Sequence, residues 1–577
     1  MLSKGIKKKT DIWSGEGFDE ATRKEVKFLL KNNPDKLIEC FYKNLEFGTG
    51  GLRGITGVGT NRINKYTIGA ATQGLCNYIL KNKKENEEIK TAVAYDSRND
   101  SKFFAEITAN IFSANGFKVF IFEDLRPTPE LSFAVRELKC KAGVVITASH
   151  NPKEYNGYKV YWEDGAQIIS PQDKEIIKEV NAVTDISQIK FEGKKENINI
   201  LGSDFDKKYI QRIKELSLSP DIIKKHSGFK IVYTPIHGTG VKLVPQALKA
   251  FGFNNVFNIP EQDIPDGNFP TVKSPNPENA EALYLAVKKA EEINADLVLA
   301  TDPDADRAGI AVRDLNGNIV LLNGNQTASL LIYYLIKARK EKKLLKGNEY
   351  IVKTIVTSDL LTDTASSFGI KHYETLTGFK YIAQIIREKE GKEIFLAGGE
   401  ESYGYLAGDF VRDKDAVMSA ALIAETAVWA KEQGMSMYEM LIDIYLKYDF
   451  YKEALINIVK TGKSGAEEIK KMMTGFRENP PENIAGEKIT EITDYLLGEC
   501  KNIISGESKP VNLPESDVLQ FVTDKGTKLT VRPSGTEPKI KFYISVKTGL
   551  CCKEDFEKIN STLEAKIKSI KKDLNIN

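Results

Sequence analysis

Hydrophobic residues along this chain fall into two alternating kinds of segment. Short β-branched runs closed by small polar residues, glycine or proline read as strands, and longer stretches with apolar positions at helical spacing read as helices. On that basis the chain predicts a strand at 91–95, a helix at 102–115, a strand at 118–122, a helix at 130–138 and a wholly apolar strand at 142–146, Ala-Gly-Val-Val-Ile. This is the grammar of βαβ units around a parallel sheet. It returns as strand 229–233, helix 241–250 and strand 295–300, and again as strand 349–356, helices 359–368 and 381–389 and strand 393–397. Three similar units in series predict a repeated α/β domain. An amphipathic helix is expected at 18–33, ending before Pro34, and a polar Lys/Asn-rich stretch around 183–205 separates the first unit from the second. Beyond residue 450 or so, a helix, strands at 521–523 and 528–531 and a Lys/Glu-rich terminal helix predict a separate α+β domain.

At 577 residues the chain is too long for one hydrophobic core and predicts roughly three to five domains. Hydrophobic residues at 41% and charged residues at 28% argue against disorder for the bulk of it. Lys+Arg 82 against Asp+Glu 80 leaves a net charge of +2, so no general field attracts a polyanion and nucleic acid is not the expected partner. Six cysteines without a C-x-x-C pair offer neither a zinc site nor a disulfide framework, which fits a reducing cytoplasm. No apolar segment follows the basic N-terminus and no window approaches the length of a membrane span, so a cytoplasmic location without membrane contact is expected.

Chemistry-bearing loops follow several of the strands. The strand at 142–146 delivers Thr147-Ala148-Ser149-His150-Asn151-Pro152. Ligands of open α/β sheets bind beyond the carboxyl ends of strands, so Ser149 stands where a nucleophile or phosphate carrier is useful, although a Ser/Asn/Pro turn forms on its own. Asp302-Pro303-Asp304-Ala305-Asp306-Arg307 follows the apolar run 297–300, and its three alternate carboxylates can converge on one hard cation. A calcium hand also begins D-x-D-x-D, but it needs glycine and glutamate where Arg307 and Arg313 stand. Gly399-Glu400-Glu401-Ser402-Tyr403-Gly404 offers carboxylate and hydroxyl acceptors that suit sugar hydroxyls. Just before it, Thr377, Gly378 and Lys380 form a glycine turn with a lysine that can meet a phosphate. Arg532-Pro533-Ser534-Gly535-Thr536-Glu537 makes a compact phosphate clamp. Near the N-terminus, Gly48-Thr49-Gly50-Gly51-Leu52-Arg53-Gly54 narrowly misses a dinucleotide fingerprint; it reads equally as a phosphate cradle with Arg53 or as a flexible glycine turn.

The motifs T-A-S-H-N-P, D-P-D-A-D-R, G-E-E-S-Y-G and R-P-S-G-T-E-P, in this order over nearly the whole chain, resemble the α-D-phosphohexomutase superfamily of phosphoglucomutases and phosphomannomutases. The resemblance implies three related α/β domains, at 1–205, 206–322 and 323–450, around a central cleft, with a smaller C-terminal α+β domain at 451–577. It implies that Ser149 is a phosphoserine and that Asp302, Asp304 and Asp306 hold one magnesium ion together with an oxygen on Ser149. Arg53, His150, Lys159, Arg307 and Lys380 then match positions near the transferring phosphate, Glu400 and Ser402 the sugar-binding pair, and Arg532, Ser534, Gly535 and Thr536 the distal phosphate site. Lys541 stands where several members have arginine, and a point-charge ammonium there holds phosphate less rigidly.

The implied reaction interconverts glucose 1-phosphate and glucose 6-phosphate through a bound glucose 1,6-bisphosphate, with Lys159 or His150 as general acid/base if its pKa is shifted toward neutrality. Mannose and pentose phosphates are alternative substrates. The G-E-E-S loop resembles phosphoglucomutases, and residues 156–162 resemble the branch that also handles pentose phosphates. A serine hydrolase is not expected, because no G-x-S-x-G elbow is present and adjacent residues of an extended chain point to opposite sides, which would keep His150 from Ser149. A two-metal phosphatase would need a second acidic cluster. A non-catalytic phosphosugar-binding protein would keep the clamp and have no need of Ser149. No oligomeric state is indicated.

Overall fold

The structure is a computed structural model and describes residues 2–48, 50–460, 462–534, 539–574 and 576. Its strands form four principal sheets. The first contains β1 (Gly51–Ile55), β2 (Lys90–Tyr95), β3 (Lys118–Phe122), β4 (Ala142–Ile146), β5 (Tyr155–Trp162) and β6 (Ile198–Leu201), in the order β1-β5-β4-β2-β3-β6. The second contains β7 (Ile231–Thr234), β8 (Val256–Asn258), β9 (Leu297–Thr301), β10 (Ala308–Arg313) and β11 (Ile319–Leu322), in the order β11-β10-β9-β7-β8. The third contains β12 (Glu349–Thr354), β13 (Lys371–Thr375), β14 (Ile394–Glu400) and β15 (Gly404–Ala407), in the order β13-β12-β14-β15.

A four-strand pattern is common to all three. In β3-β2-β4-β5, in β8-β7-β9-β10 and in β13-β12-β14-β15, three parallel strands are followed by an antiparallel one. The expected repeat is therefore real at the level of topology. It also puts the chemistry-bearing motifs at equivalent places, because the serine and the aspartates lie in the loop between the third and fourth strands, and the G-E-E-S motif runs from the end of the third strand into that loop. β4 shows why such strands read as unbroken apolar runs: all five residues are buried, with Val144 and Ile146 packing to one side of the sheet and Val145 to the other.

The fourth sheet is largely antiparallel. It comprises β16 (Phe450–Val459), β18 (Glu487–Asp494), β19 (Glu499–Asn502), β20 (Ser508–Pro510), β21 (Leu519–Thr523), β22 (Lys528–Pro533) and β23 (Lys539–Thr548), while the short β17 (Asn483–Ile484) pairs with β18. With the helices Gly462–Glu478 and Phe556–Asp573 it makes the expected α+β unit. Two of its longest strands, β16 and β23, were not predicted. Both alternate apolar with charged or polar side chains, as half-exposed strands do, and pair along ten positions.

Three corrections concern the first unit. Helices Lys4–Trp13, Pro34–Phe41 and Lys65–Asn82 were not predicted. The helix expected at 18–33 is Glu20–Asn32, and Asn33 immediately caps the next one by accepting from the Lys36 amide at 3.1 Å, with Pro34 at its first position. The glycine-rich stretch is not a free turn: Gly51–Ile55 is an edge strand paired with β5. Glycine is required there because a Cβ on Gly51 would lie 1.7 Å from the Tyr158 carbonyl oxygen. The stretch around 183–205 is also more than a spacer, since β6 within it extends the first sheet. Among the described residues, no helix is long and apolar enough to cross a membrane.

Candidate active site

The serine loop leaves β4 and reverses sharply. Ser149 adopts φ 52, in the left-handed region, and is 3% exposed. This conformation overturns the expectation that His150 points away from Ser149. With the chain turned rather than extended, Ser149 Oγ lies 3.3 Å from His150 Nδ1. Its shorter bond runs to the second loop, where Oγ donates to Asp302 Oδ2 at 2.6 Å.

The turn is held from below by a residue that sequence reasoning passed over. Arg98, just beyond β2, donates to the carbonyls of Ser149, Asn151, Pro152 and Tyr155. Its own orientation is fixed by Asp96, 3.3 Å away, which also accepts from Thr147 Oγ1 at 2.6 Å and Ser101 Oγ at 2.7 Å. Four backbone acceptors on one guanidinium use its planar fork in a way that lysine cannot reproduce.

Asp302, Asp304 and Asp306 sit after β9, all buried, and each offers a carboxylate oxygen within 4.8 Å of the others. Their hydrogen bonds are asymmetric. Asp302 Oδ1 accepts from the amides of Asp306 and Arg307. Asp304 Oδ2 accepts from Lys159 Nζ at 2.6 Å and Thr128 Oγ1 at 2.8 Å. Asp306 Oδ2 is 3.1 Å from Lys159 Nζ and 3.4 Å from Lys414 Nζ. The remaining oxygens, Asp304 Oδ1 and Asp306 Oδ1, are buried and accept no hydrogen bond. Buried carboxylate oxygens without donors are costly, and a hard divalent cation is the group they suit. The donor set therefore fits a metal ion.

Electrostatics in the cluster follow from this crowding. Burial, followed by repulsion from Asp304 and Asp306, raises the Asp302 pKa far above the usual carboxylate range. Burial opposes the charge on Lys159, but Asp304 and Asp306 outweigh it and the ammonium is held protonated. His150 moves the other way: burial, then the Arg307 and Arg53 guanidiniums, drive its pKa well below the ordinary value, so the imidazole is neutral. Neither candidate acid/base is drawn toward neutrality. They are polarised apart, into a charged donor and an uncharged acceptor.

The G-E-E-S loop and the Arg532 end of β22 face the same space. A cavity of about 1050 Å³ is lined by Arg53, Ser149, His150, Lys159, Asp306 and Arg307, and also by Thr377, Gly378, Lys380, Glu400, Ser402, Arg532, Ser534 and Lys541. Asp302 and Asp304 stand behind its wall, and Gly535 and Thr536 lie outside the described residues. Glu400 is 4% exposed and accepts from the Gly378 amide at 2.9 Å, which ties the G-E-E-S loop to the Thr377–Lys380 turn. Arg307 is anchored by Glu278 at 2.8 Å. Arg532 and Lys541 are cross-strand neighbours on β22 and β23, so both cationic side chains come from one sheet. Burial, then Lys539, lowers the Lys541 pKa.

Sequence reasoning also missed Lys414. It lies in Arg412-Asp413-Lys414-Asp415, a charge run that reads as solvated, yet these residues are 1%, 2%, 9% and 0% exposed. Their partners are far away in sequence: Arg412 meets Glu390, Asp413 accepts from Tyr161, Lys414 reaches Asp306 and Asp415 accepts from Tyr209. No local signal could have shown this.

Family models decide the relationship. Those described as phosphoglucomutase/phosphomannomutase, alpha/beta/alpha domains I, II and III match residues 44–187, 207–317 and 323–448. The chain belongs to the phosphoglucomutase/phosphomannomutase family. A phosphoglucomutase of Staphylococcus haemolyticus (strain JCSC1435) is 37% identical over 549 residues, covering 92% of this chain and 97% of the relative. One of Staphylococcus aureus (strain N315) is 38% identical over 533 residues, covering 92% and 93%. Among solved structures, the open form of the Paramecium phosphoglucomutase pp63/parafusin superposes with a TM-score of 0.64 at 18% identity, covering 89% of this chain and 91% of that one. A phosphoglucomutase/phosphomannomutase family protein from Burkholderia thailandensis gives 0.62 at 18%, covering 91% and 97%. These two bear on the fold. The family's three α/β/α domains and the further C-terminal sheet-and-helix unit agree with the architecture expected from the sequence.

Proposed function

We infer that this chain is a phosphoglucomutase, an intramolecular phosphotransferase that moves phosphate between the 1- and 6-hydroxyls of glucose through Ser149. The observation that carries this reading is the bond from Ser149 Oγ to the buried Asp triad at the wall of a cavity that also presents Glu400 and Arg532. Curated relatives at 37–38% identity over 92% of the chain bear the same name. We divide the chain at residues 205, 322 and 450, and assign it to the cytoplasm.

In the phosphorylated enzyme, the 6-oxygen of glucose 1-phosphate attacks phosphorus on Ser149 Oγ. The new O6–P bond forms as the Oγ–P bond breaks. The hydroxyl proton passes to a neutral base, for which His150 is suited, and the charged Lys159 stabilises or protonates the leaving Oγ. Glucose 1,6-bisphosphate then turns over in the cleft and Ser149 Oγ attacks its 1-phosphate. The Oγ–P bond forms as the O1–P bond breaks, the Oγ proton returns to Lys159, and the protonated His150 gives its proton to O1 of the departing glucose 6-phosphate. Bound Mg2+, held by Asp302, Asp304, Asp306 and an oxygen on Ser149, would supply charge neutralisation at the phosphate. Arg53, Arg307 and Lys380 steady the reacting group, while Arg532, Ser534, Gly535, Thr536 and Lys541 hold the other phosphate; Thr377, Gly378, Glu400 and Ser402 orient the sugar.

Incubation with glucose 1,6-bisphosphate followed by intact-mass measurement tests the reading. One added phosphate that peptide mapping places on Ser149 is expected. An unchanged mass together with tight sugar-phosphate binding would instead identify a binding protein.

Sugar selectivity gives a second test. A half turn of the bisphosphate exchanges the 3- and 4-hydroxyls, which Glu400 and Ser402 are assigned to read. A hydrogen bond to a charged partner contributes about 1.5–3 kcal/mol, or roughly ten- to a hundredfold. Galactose 1-phosphate, inverted at the 4-hydroxyl, is expected to lose at least about tenfold in kcat/KM. Mannose 1-phosphate, inverted at the 2-hydroxyl, should lose less. Equal kcat/KM for glucose and galactose 1-phosphates would take the G-E-E-S loop out of the sugar site.

A further inference from the structure

We propose that Thr128 is a positioning residue for the cation site, its hydroxyl fixing which oxygen of Asp304 is presented to the metal. The inference rests on reading the Asp triad as a divalent-cation site. Thr128 belongs to the first unit and Asp304 to the loop after β9 in the second, 176 residues away. The threonine is fully buried at the start of the helix Thr128–Glu137, between Pro127 and Pro129.

It grips the aspartate twice. The Thr128 amide donates to the Asp304 carbonyl at 2.9 Å, and Oγ1 donates to Oδ2 at 2.8 Å. The second donor to Oδ2 is Lys159 Nζ, at 2.6 Å, and Oδ1 has none. The carboxylate is therefore turned by its partners so that Oδ1 is the free oxygen.

Lys159 cannot set that orientation alone. Its ammonium is shared with Asp306 Oδ2 at 3.1 Å, and a point charge on a flexible stem attracts either oxygen of Asp304. A β-branched hydroxyl with a stiff side-chain torsion, on a helix start bounded by prolines, supplies the direction. Outer-shell partners of this kind typically change metal affinity by about 10- to 100-fold when lost. The contact also joins two domains. Metal affinity thereby comes to depend on the first unit being docked against the second.

Thr128→Val keeps the shape and the backbone bond and removes only the hydroxyl. Mn2+ binding to the purified full-length chain, read by electron paramagnetic resonance of the free ion and by calorimetry, is expected to weaken by about tenfold or more in this variant. Thr128→Ser is expected to stay within about threefold of the parent. KM for glucose 1-phosphate at saturating Mg2+ should not move in either, which separates the effect from general loosening of the site. Parent and Thr128→Val binding Mn2+ equally would overturn the role of Thr128 and leave the cation site standing. A parent that binds no Mn2+ removable by Asp304→Asn would overturn both. If Thr128→Val does not fold by circular dichroism, Thr128→Ala, which brings no second methyl against the carboxylate, serves for the same comparison.

Discussion

Replacing Ser149 by alanine is expected to abolish sustained turnover, with a loss on the order of 10⁴-fold or more, because in the proposed cycle Ser149 Oγ carries the phosphate between the two ends of the sugar. The loop itself should survive. Its shape is set by Arg98 on four carbonyls and by Thr147 Oγ1, which accepts from the Ser149 amide at 2.8 Å, and none of these contacts uses Oγ. Alanine meets the same left-handed strain at φ 52 that serine already bears. What is lost is the donor to Asp302 Oδ2. Sugar-phosphate binding measured by calorimetry should therefore stay near the parent's while activity disappears and glucose 1,6-bisphosphate no longer adds mass. Steady mutase activity in Ser149→Ala would sink the phosphoserine assignment.

How much of this was legible in the sequence depends on how far apart the partners are. β4, β9 and β14 announced themselves as apolar runs because each is a central strand covered on both faces, and the loops after them carry the chemistry wherever the fold puts it. The strand-loop-strand repeat followed from the same signal. β1 is opaque in the sequence because a glycine run signals freedom and close approach alike, and Gly51 is there to let one backbone approach another. The sheet of the last unit was half hidden, since β16 and β23 keep one wet face and their charged positions mask the alternation.

The site shows the same divide. Ser149, the three aspartates and Glu400 sit in compact motifs, which is what makes them candidates from local spacing alone. Arg98, Thr128 and Lys414 act through partners 51 to 57, 176 and 108 positions away, and a single sequence carries no trace of such pairings. The Ser149–His150 contact is hidden for a different reason: adjacent side chains of an extended chain point to opposite sides, and one left-handed residue reverses that. Lys414 is the sharpest case. Charged residues in a row are solvated by default, and residues 412–415 are buried only because each finds its counterpart on another unit or loop.

Stripping divalent cations with a chelator is expected to remove turnover by about 10³-fold or more, with full recovery on returning Mg2+, because the charge on a phosphorylated Ser149 would otherwise face three carboxylates in a buried site. Lys159 and Lys414 reach Asp304 Oδ2 and Asp306 Oδ2, and Arg307 bonds Glu278 and comes no nearer than 3.8 Å to Asp306 Oδ1, so Asp304 Oδ1 and Asp306 Oδ1 remain without hydrogen bonds. The same geometry predicts a thermodynamic effect that does not depend on catalysis. An ion that binds the folded site and not the unfolded chain stabilises by about 2.7 kcal/mol at a hundred times its Kd, so the melting transition involving the second unit should rise with Mg2+ concentration. Asp304→Asn removes a charge from the triad while keeping its size, and should shift both the activation curve and the melting response to higher Mg2+, with excess metal restoring part of the activity. An enzyme that keeps its full rate after chelation, with no metal left by elemental analysis, and whose melting is indifferent to Mg2+, would show that the aspartates serve the fold and not a cation.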